Sequence, residues 1–165
     1  MIVIIMGVSG SGKSTIGALL AHALGWHFAD ADSFHPPSNV LKMSQGIALT
    51  EEDRAPWLTS IRGQIERWMT EPRSVVLACS ALRASHRQVL MVDPLRMRLV
   101  YLKGSLDVLQ TRLANRRHHF MPAELLDSQL AILDEPIDAI AVDINQPPEA
   151  IVRQVRHALT APAST

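Results

Sequence analysis

Eight consecutive residues, Gly7-Val8-Ser9-Gly10-Ser11-Gly12-Lys13-Ser14, carry the clearest chemistry in the chain. Their spacing, G-x-x-x-x-G-K-S, is that of a phosphate-binding P-loop. Glycines let the backbone turn tightly, so that successive N–H groups converge on phosphate oxygens. The helix that follows contributes its first N–H groups and the positive end of its dipole. Lys13 supplies a point charge for the β- and γ-phosphates, and the Ser14 hydroxyl is placed to ligate Mg²⁺. Gly7, Val8, Ser9, Gly10, Ser11, Gly12, Lys13, Ser14 and Thr15 therefore form the candidate ATP site.

Transfer of a phosphoryl group needs more than a cradle. A carboxylate must meet the acceptor hydroxyl, a cation must hold the acceptor, and a basic lid must exclude water. Asp30 and Asp32 follow a short apolar segment at i and i+2, a spacing that lets both point into one cleft. Asp32 is the candidate acceptor ligand and general base, and Asp30 the candidate for the Mg²⁺ shell. Arg116 and Arg117 open the basic run Arg116-Arg117-His118-His119 between two helical segments. There Arg116 could neutralise charge developing on the phosphoryl group, making it a catalytic and ATP-binding candidate beside Lys13 and Asp32. Arg54 and Arg83 are candidate anion clamps, because the guanidinium fork matches a carboxylate. His35, beside Pro36 and Pro37, is open to a packing or a substrate role. His118 and His119 form no metal site with any Cys or Asp at ligand spacing.

The elements that must position these residues alternate along the chain. Strands are expected at Ile2–Met6, Trp26–Ala29, Ser74–Cys79, Met97–Leu102 and Ala139–Ile144. Helices are expected at Lys13–Leu24, Val40–Ser44 (capped by Ser38 or Asn39), from Thr50 to before Pro72, to about Met91, at Leu106–Asn115, Pro122–Leu133 and Glu149–Leu159. Thr50 and Asp53 stand in capping-box positions, with Asp in place of the usual Glu or Gln. Five β–α alternations specify an α/β domain with a parallel sheet and right-handed crossovers. Ligands in such sheets bind at the carboxyl ends of the strands, so the loops after them should line one cleft.

Composition excludes several classes. The 165-residue length suits one domain, and its zero formal net charge gives no footing for nucleic acid. The single cysteine, Cys79, permits no intrachain disulfide. The apolar run of residues 2–6 is too short for a signal-peptide core or a membrane span, so a cytoplasmic protein is expected. A switch GTPase would need a guanine-reading N-K-x-D segment, which does not occur, and a hydrolysing ATPase a strand that ends in Asp-Glu; the runs Phe28-Ala29-Asp30 and Ile140-Ala141-Val142-Asp143, at the ends of expected strands, do not continue to Glu. A kinase of a small molecule is left, with a non-catalytic nucleotide-binding module as the rival from another class.

Longer motifs narrow the class. Met6 to Ser14, Asp32-Ser33-Phe34-His35-Pro36-Pro37-Ser38-Asn39, Arg54-Ala55-Pro56-Trp57-Leu58, Cys79-Ser80-Ala81-Leu82-Arg83, His119-Phe120-Met121 and Val142-Asp143-Ile144-Asn145-Gln146-Pro147 together resemble the gluconate kinase (gluconokinase) family over nearly the whole chain. Arg83 stands where that family commonly has Lys, His118 where it commonly has Gly, and Asn145 where it commonly has Asp. The resemblance implies ATP-dependent phosphorylation of D-gluconate to 6-phospho-D-gluconate in gluconate catabolism, with the Mg²⁺ that the phosphate loop calls for. It implies the three-layer P-loop fold shared with shikimate kinase, a five-stranded parallel sheet of order 2-3-1-4-5 with helices on both faces. It also implies a mobile lid at about 116–122 within a single domain, 1–165, and a homodimer. Asp32, His35, Arg54 and Arg83 are then the candidate gluconate-binding residues, and Ser14 with Asp30 the metal-binding ones.

Overall fold

The computed structural model describes residues 1–115 and 125–161. Strand β1 (Ile2–Met6) is buried at every position. Its side chains alternate between two cores, as a pleated strand requires. Val3 and Ile5 face one core with Ile16, Leu20, Val100 and Val155. Ile2, Ile4 and Met6 face the other with Trp57, Ile61, Ile65 and Leu90. Around β1 lie β2 (His27–Asp30), β3 (Val75–Ala78), β4 (Met97–Lys103) and β5 (Ile140–Asp143). All pairings are parallel. The sheet order is β2-β3-β1-β4-β5, as the resemblance implies.

The helices are α1 (Lys13–Leu24), α2 (Pro37–Ser44), α3 (Glu51–Thr70), α4 (Ala84–Leu90), α5 (Leu106–Ala114), α6 (Leu125–Ile132) and α7 (Pro148–Thr160). Among the described residues no helix is long and apolar enough to cross a membrane.

Register sets the site. Asp30 pairs with Ala78, and Ala78 with Ile5, so the end of β2 lies level with the residues that lead into the phosphate loop.

Two local expectations need correcting. Helix α2 begins at Pro37, three residues before Val40, and neither Ser38 nor Asn39 caps it. Proline suits the first helical position because that N–H has no helical partner in any residue. Asn39, inside the helix and buried, instead bonds to Asp53 and His35. Strand β2 is shifted one residue later than expected and takes in Asp30. The capping box at Thr50 does form with aspartate: the Asp53 N–H donates to Thr50 Oγ1 at 3.1 Å, and Asp53 Oδ2 accepts the Thr50 N–H at 2.9 Å.

Candidate active site

The phosphate loop, residues 7–12, joins β1 to α1. Gly10 has φ +84° and Gly12 φ +96°, backbone that a side chain disfavours. A Cβ at Gly10 would also approach Leu113 Cγ to 3.0 Å. Gly12 caps α1 without a side chain, and the first helical bond runs from the Ile16 N–H to the Gly12 carbonyl at 2.8 Å. The amides of Lys13, Ser14 and Thr15 thus precede the helical ladder, at its positive end. Lys13 Nζ lies across the loop and donates to the Val8 carbonyl at 3.1 Å. The Ser9 N–H donates to Gln129 Oε1 of α6 at 2.7 Å.

The two aspartates divide their duties by position. Asp30 closes β2 and caps the 3₁₀ turn Ala31–Phe34, its Oδ1 accepting the Asp32 N–H at 3.0 Å. Its other oxygen, Oδ2, accepts the Ser14 hydroxyl. Asp32, two residues on, lines the cleft with Ser9, Gly10, Gly12, Lys13 and Ser14. A hydroxyl and a carboxylate oxygen side by side at the loop fit a Mg²⁺ ion, which takes oxygen ligands and usually only one or two from protein beside phosphates. Among the described residues no group of three or more His, Cys, Asp and Glu could hold a metal ion.

The far wall of the cleft comes from the turn after β2 and from α3. Trp57, buried in α3, donates its Nε1–H to the Ala31 carbonyl at 2.8 Å. The His35 ring stacks on the Trp57 indole, centroids 4.4 Å apart and planes 8° from parallel. Burial first, and then the charge of Arg54, push the His35 pKa down to about 4, so the ring is neutral at pH 7. Asn39 Nδ2 lies 3.3 Å from His35 Nδ1 and donates to the Asp53 carbonyl at 2.8 Å. Lys42 completes the frame with a salt bridge to Asp53 at 2.8 Å. That hydrogen bond, followed by the one from the Thr50 backbone, holds the Asp53 carboxyl down at about 2.

The two candidate clamps part company. Arg54 lines the cleft together with His35 and Trp57. Arg83 caps α4, is not among the lining residues, and donates from Nε to Glu51 Oε1 at 3.0 Å. Arg116 and the proposed lid at 116–122 lie outside the described residues. The structure thus brings Lys13, Ser14, Asp32, His35 and Arg54 to one cleft, with Asp30 behind Ser14 and Arg83 behind Glu51.

Several wall residues escaped the sequence reading. Ser80 and Leu82 enter from the loop after β3, and Leu125, Ser128 and Gln129 from α6. Gln129 did leave a signal: it follows Leu125 by four residues and Leu126 by three, a polar residue on an apolar helix face. A second cavity opens on the opposite side of the loop, lined by Gly12, Thr15, Arg112, Asn115, Pro148 and Ile151 among others. Arg112 is fixed there by the Ile144 carbonyl, which accepts from Nη2 at 2.6 Å.

Comparison with known proteins places this geometry. The family model for shikimate kinase matches residues 9–160. The gluconokinase of Gluconobacter oxydans is 44% identical over 158 residues, covering 93% of this chain and 89% of that protein. A crystal structure of a sugar kinase from a Janibacter species is 42% identical with a TM-score of 0.89, covering 96% of this chain and 93% of that one. A gluconokinase structure from Sinorhizobium meliloti is also 42% identical, with a TM-score of 0.84 and coverage of 95% and 90%.

Proposed function

The chain belongs to the shikimate kinase family and, within it, to the gluconokinases, and on that premise we propose that it transfers the γ-phosphoryl group of ATP to the primary hydroxyl of D-gluconate. The observation that carries this reading is one cleft with phosphate-binding groups at one end, Asp32 between, and Arg54 at the far wall. Such a cleft fits a small polyol with a carboxylate at one end and a reactive hydroxyl at the other.

Each residue then has a task. The loop amides and Lys13 bind the phosphates. Asp32 accepts the hydrogen bond of the attacking hydroxyl and takes its proton as the new P–O bond forms and ADP leaves. Arg54 grips the gluconate carboxylate, and neutral His35 offers a hydrogen bond to the polyol. Ser14 and Asp30 would hold Mg²⁺, which supplies charge neutralisation on the phosphates when bound. With the phosphates fixed at the loop and the acceptor on one side, the nucleoside is left the opposite side, where Arg112 and Pro148 flank the second cavity. On the sequence reading, Arg116 adds a cation from the lid of a single kinase domain. A homodimer of the 18.2 kDa chain, acting in cytoplasmic gluconate catabolism, completes the proposal.

The test is ADP release from Mg·ATP with D-gluconate, shikimate, adenylylsulfate, nucleoside monophosphates and other aldonates as acceptors. Strong turnover with D-gluconate alone supports the reading. Preference for another acceptor keeps the phosphate-loop roles and overturns the acceptor assignments. Silence across the panel, with ATP bound tightly, supports a non-catalytic module.

A further inference from the structure

Glu51, the first residue of α3, gathers three partners, one a helical turn along and two more than thirty residues away in sequence. Its Oε1 accepts both from Arg54 Nη1 at 2.9 Å and from Arg83 Nε at 3.0 Å. Its Oε2 lies 3.0 Å from His86 Nε2. His86 is almost wholly buried, at 2% exposure. Its Nδ1 accepts the Arg83 backbone N–H at 3.3 Å. The ring's proton is therefore on Nε2, and that N–H donates to Glu51. The capping box of Thr50 and Asp53 fixes the backbone on either side of Glu51.

This arrangement has two consequences for Arg54. Two guanidinium groups that share one oxygen repel each other, and only the carboxylate between them keeps them together. Arg54 also spends Nη1 on Glu51, which leaves other N–H groups of its fork for the cleft it lines. Glu51 could itself close bidentately on Arg54 and so compete with an incoming carboxylate. The buried His86 N–H prevents this by holding the second oxygen on the far side.

We propose that Glu51 and His86 are a positioning pair that orients Arg54 toward the acceptor's carboxylate and keeps the protein's own carboxylate from occupying it. The proposal rests on the assignment of Arg54 as the gluconate clamp. Neither residue touches the reacting atoms, so their effect belongs in acceptor affinity more than in the chemical step.

The experiment is steady-state kinetics on the full chain for E51Q, H86F, H86Q and the double variant E51Q/H86F, with circular dichroism to confirm folding. Misplacing a group by about an ångström can cost up to about a hundredfold. E51Q and H86F should each raise KM for gluconate about tenfold or more, with KM for ATP within about twofold and a smaller change in kcat. H86Q keeps an N–H donor at the Nε2 position and should restore most of the loss. E51Q/H86F should be no worse than E51Q alone, because His86 acts through Glu51. An unchanged gluconate KM in E51Q overturns the proposal, as does a double variant whose losses add or a parallel rise in KM for ATP. If H86F does not fold, E51Q and H86Q decide the matter: E51Q must raise the gluconate KM and H86Q must leave it within about threefold. Lack of gluconate turnover in the unaltered chain overturns the gluconokinase reading and the proposal together. Turnover with an indifferent E51Q overturns the proposal alone.

Discussion

His35 offers a prediction whose size follows from its surroundings. Its pKa lies near 4 against an ordinary 6.5, through burial on Trp57 and the nearby charge of Arg54. Protonating Nδ1 would also set an N–H against the Asn39 amide. At 1.36 kcal/mol per pH unit the difference corresponds to about 3 kcal/mol. The ring is only half-buried, so solvent screening reduces this to about 1–2 kcal/mol.

The sign is that of a depressed pKa. Above pH 6.5 the ring is neutral in both states and the contribution is complete. As pH falls from 6.5 toward 4, the unfolded chain takes up the proton and the folded one does not, so stability is lost across that window. At pH 5 the loss is about 1 kcal/mol after screening. His35→Phe keeps a ring on Trp57 and removes the titration. Urea unfolding of both proteins at pH 7.5 and pH 5 cancels every other group that titrates alike. The unaltered chain should lose about 1 kcal/mol more than the variant on acidification. Equal losses would refute the burial argument and with it the neutral state of His35 in the cleft.

Asp32→Asn should lower turnover by about 10²–10⁴-fold while nucleotide affinity stays within a few-fold; a rate within tenfold of the unaltered chain removes Asp32 as the base. Trp57→Phe deprives the buried Ala31 carbonyl of its donor, which should cost about 1–3 kcal/mol in chemical denaturation. Gly17→Ala should destabilise as well, since its Cβ would come 2.7 Å from Phe28 Cε2. The overpacking cost of about 1–3 kcal/mol outweighs a helix-propensity gain of about 1. A higher melting temperature in that variant would show that Phe28 swings aside freely.

What could be read from the chain depended on how local its cause is. The phosphate loop, the buried β1 and the Thr50–Asp53 cap are each specified by neighbours in sequence, and all three stand where the residues indicated. The sheet order was not written in periodicity; it came from the longer motifs. Asn39 looked like a cap because caps are local, but its side chain is claimed by Asp53, fourteen residues away. Gln129 bonds Ser9 across 120 residues, and Arg83 meets Glu51 across 32, pairings that no window of sequence displays. Arg54 and Arg83 looked equivalent for the same reason: only the fold turns one into the cleft and the other behind a carboxylate.

The order of charges along the cleft sets which way round an acceptor binds. The phosphate end carries Lys13 and the dipole of α1, but ATP brings a greater negative charge than these supply, so with nucleotide in place that end repels a second anion. Asp32 repels a carboxylate from the middle. His35 is neutral at pH 7, which leaves Arg54 as the cation among the lining residues of the far wall. On the proposed gluconokinase reading, a sugar acid is then expected to enter with its carboxylate toward Arg54 and its terminal hydroxyl toward Asp32. Reducing the carboxylate to an alcohol should then raise KM far more than it lowers kcat, because the lost contact lies at the end remote from the transferred phosphoryl group. If gluconate and the corresponding alditol are turned over with equal kcat/KM, Arg54 is not the carboxylate clamp, and the orientation derived from the charge order fails with it.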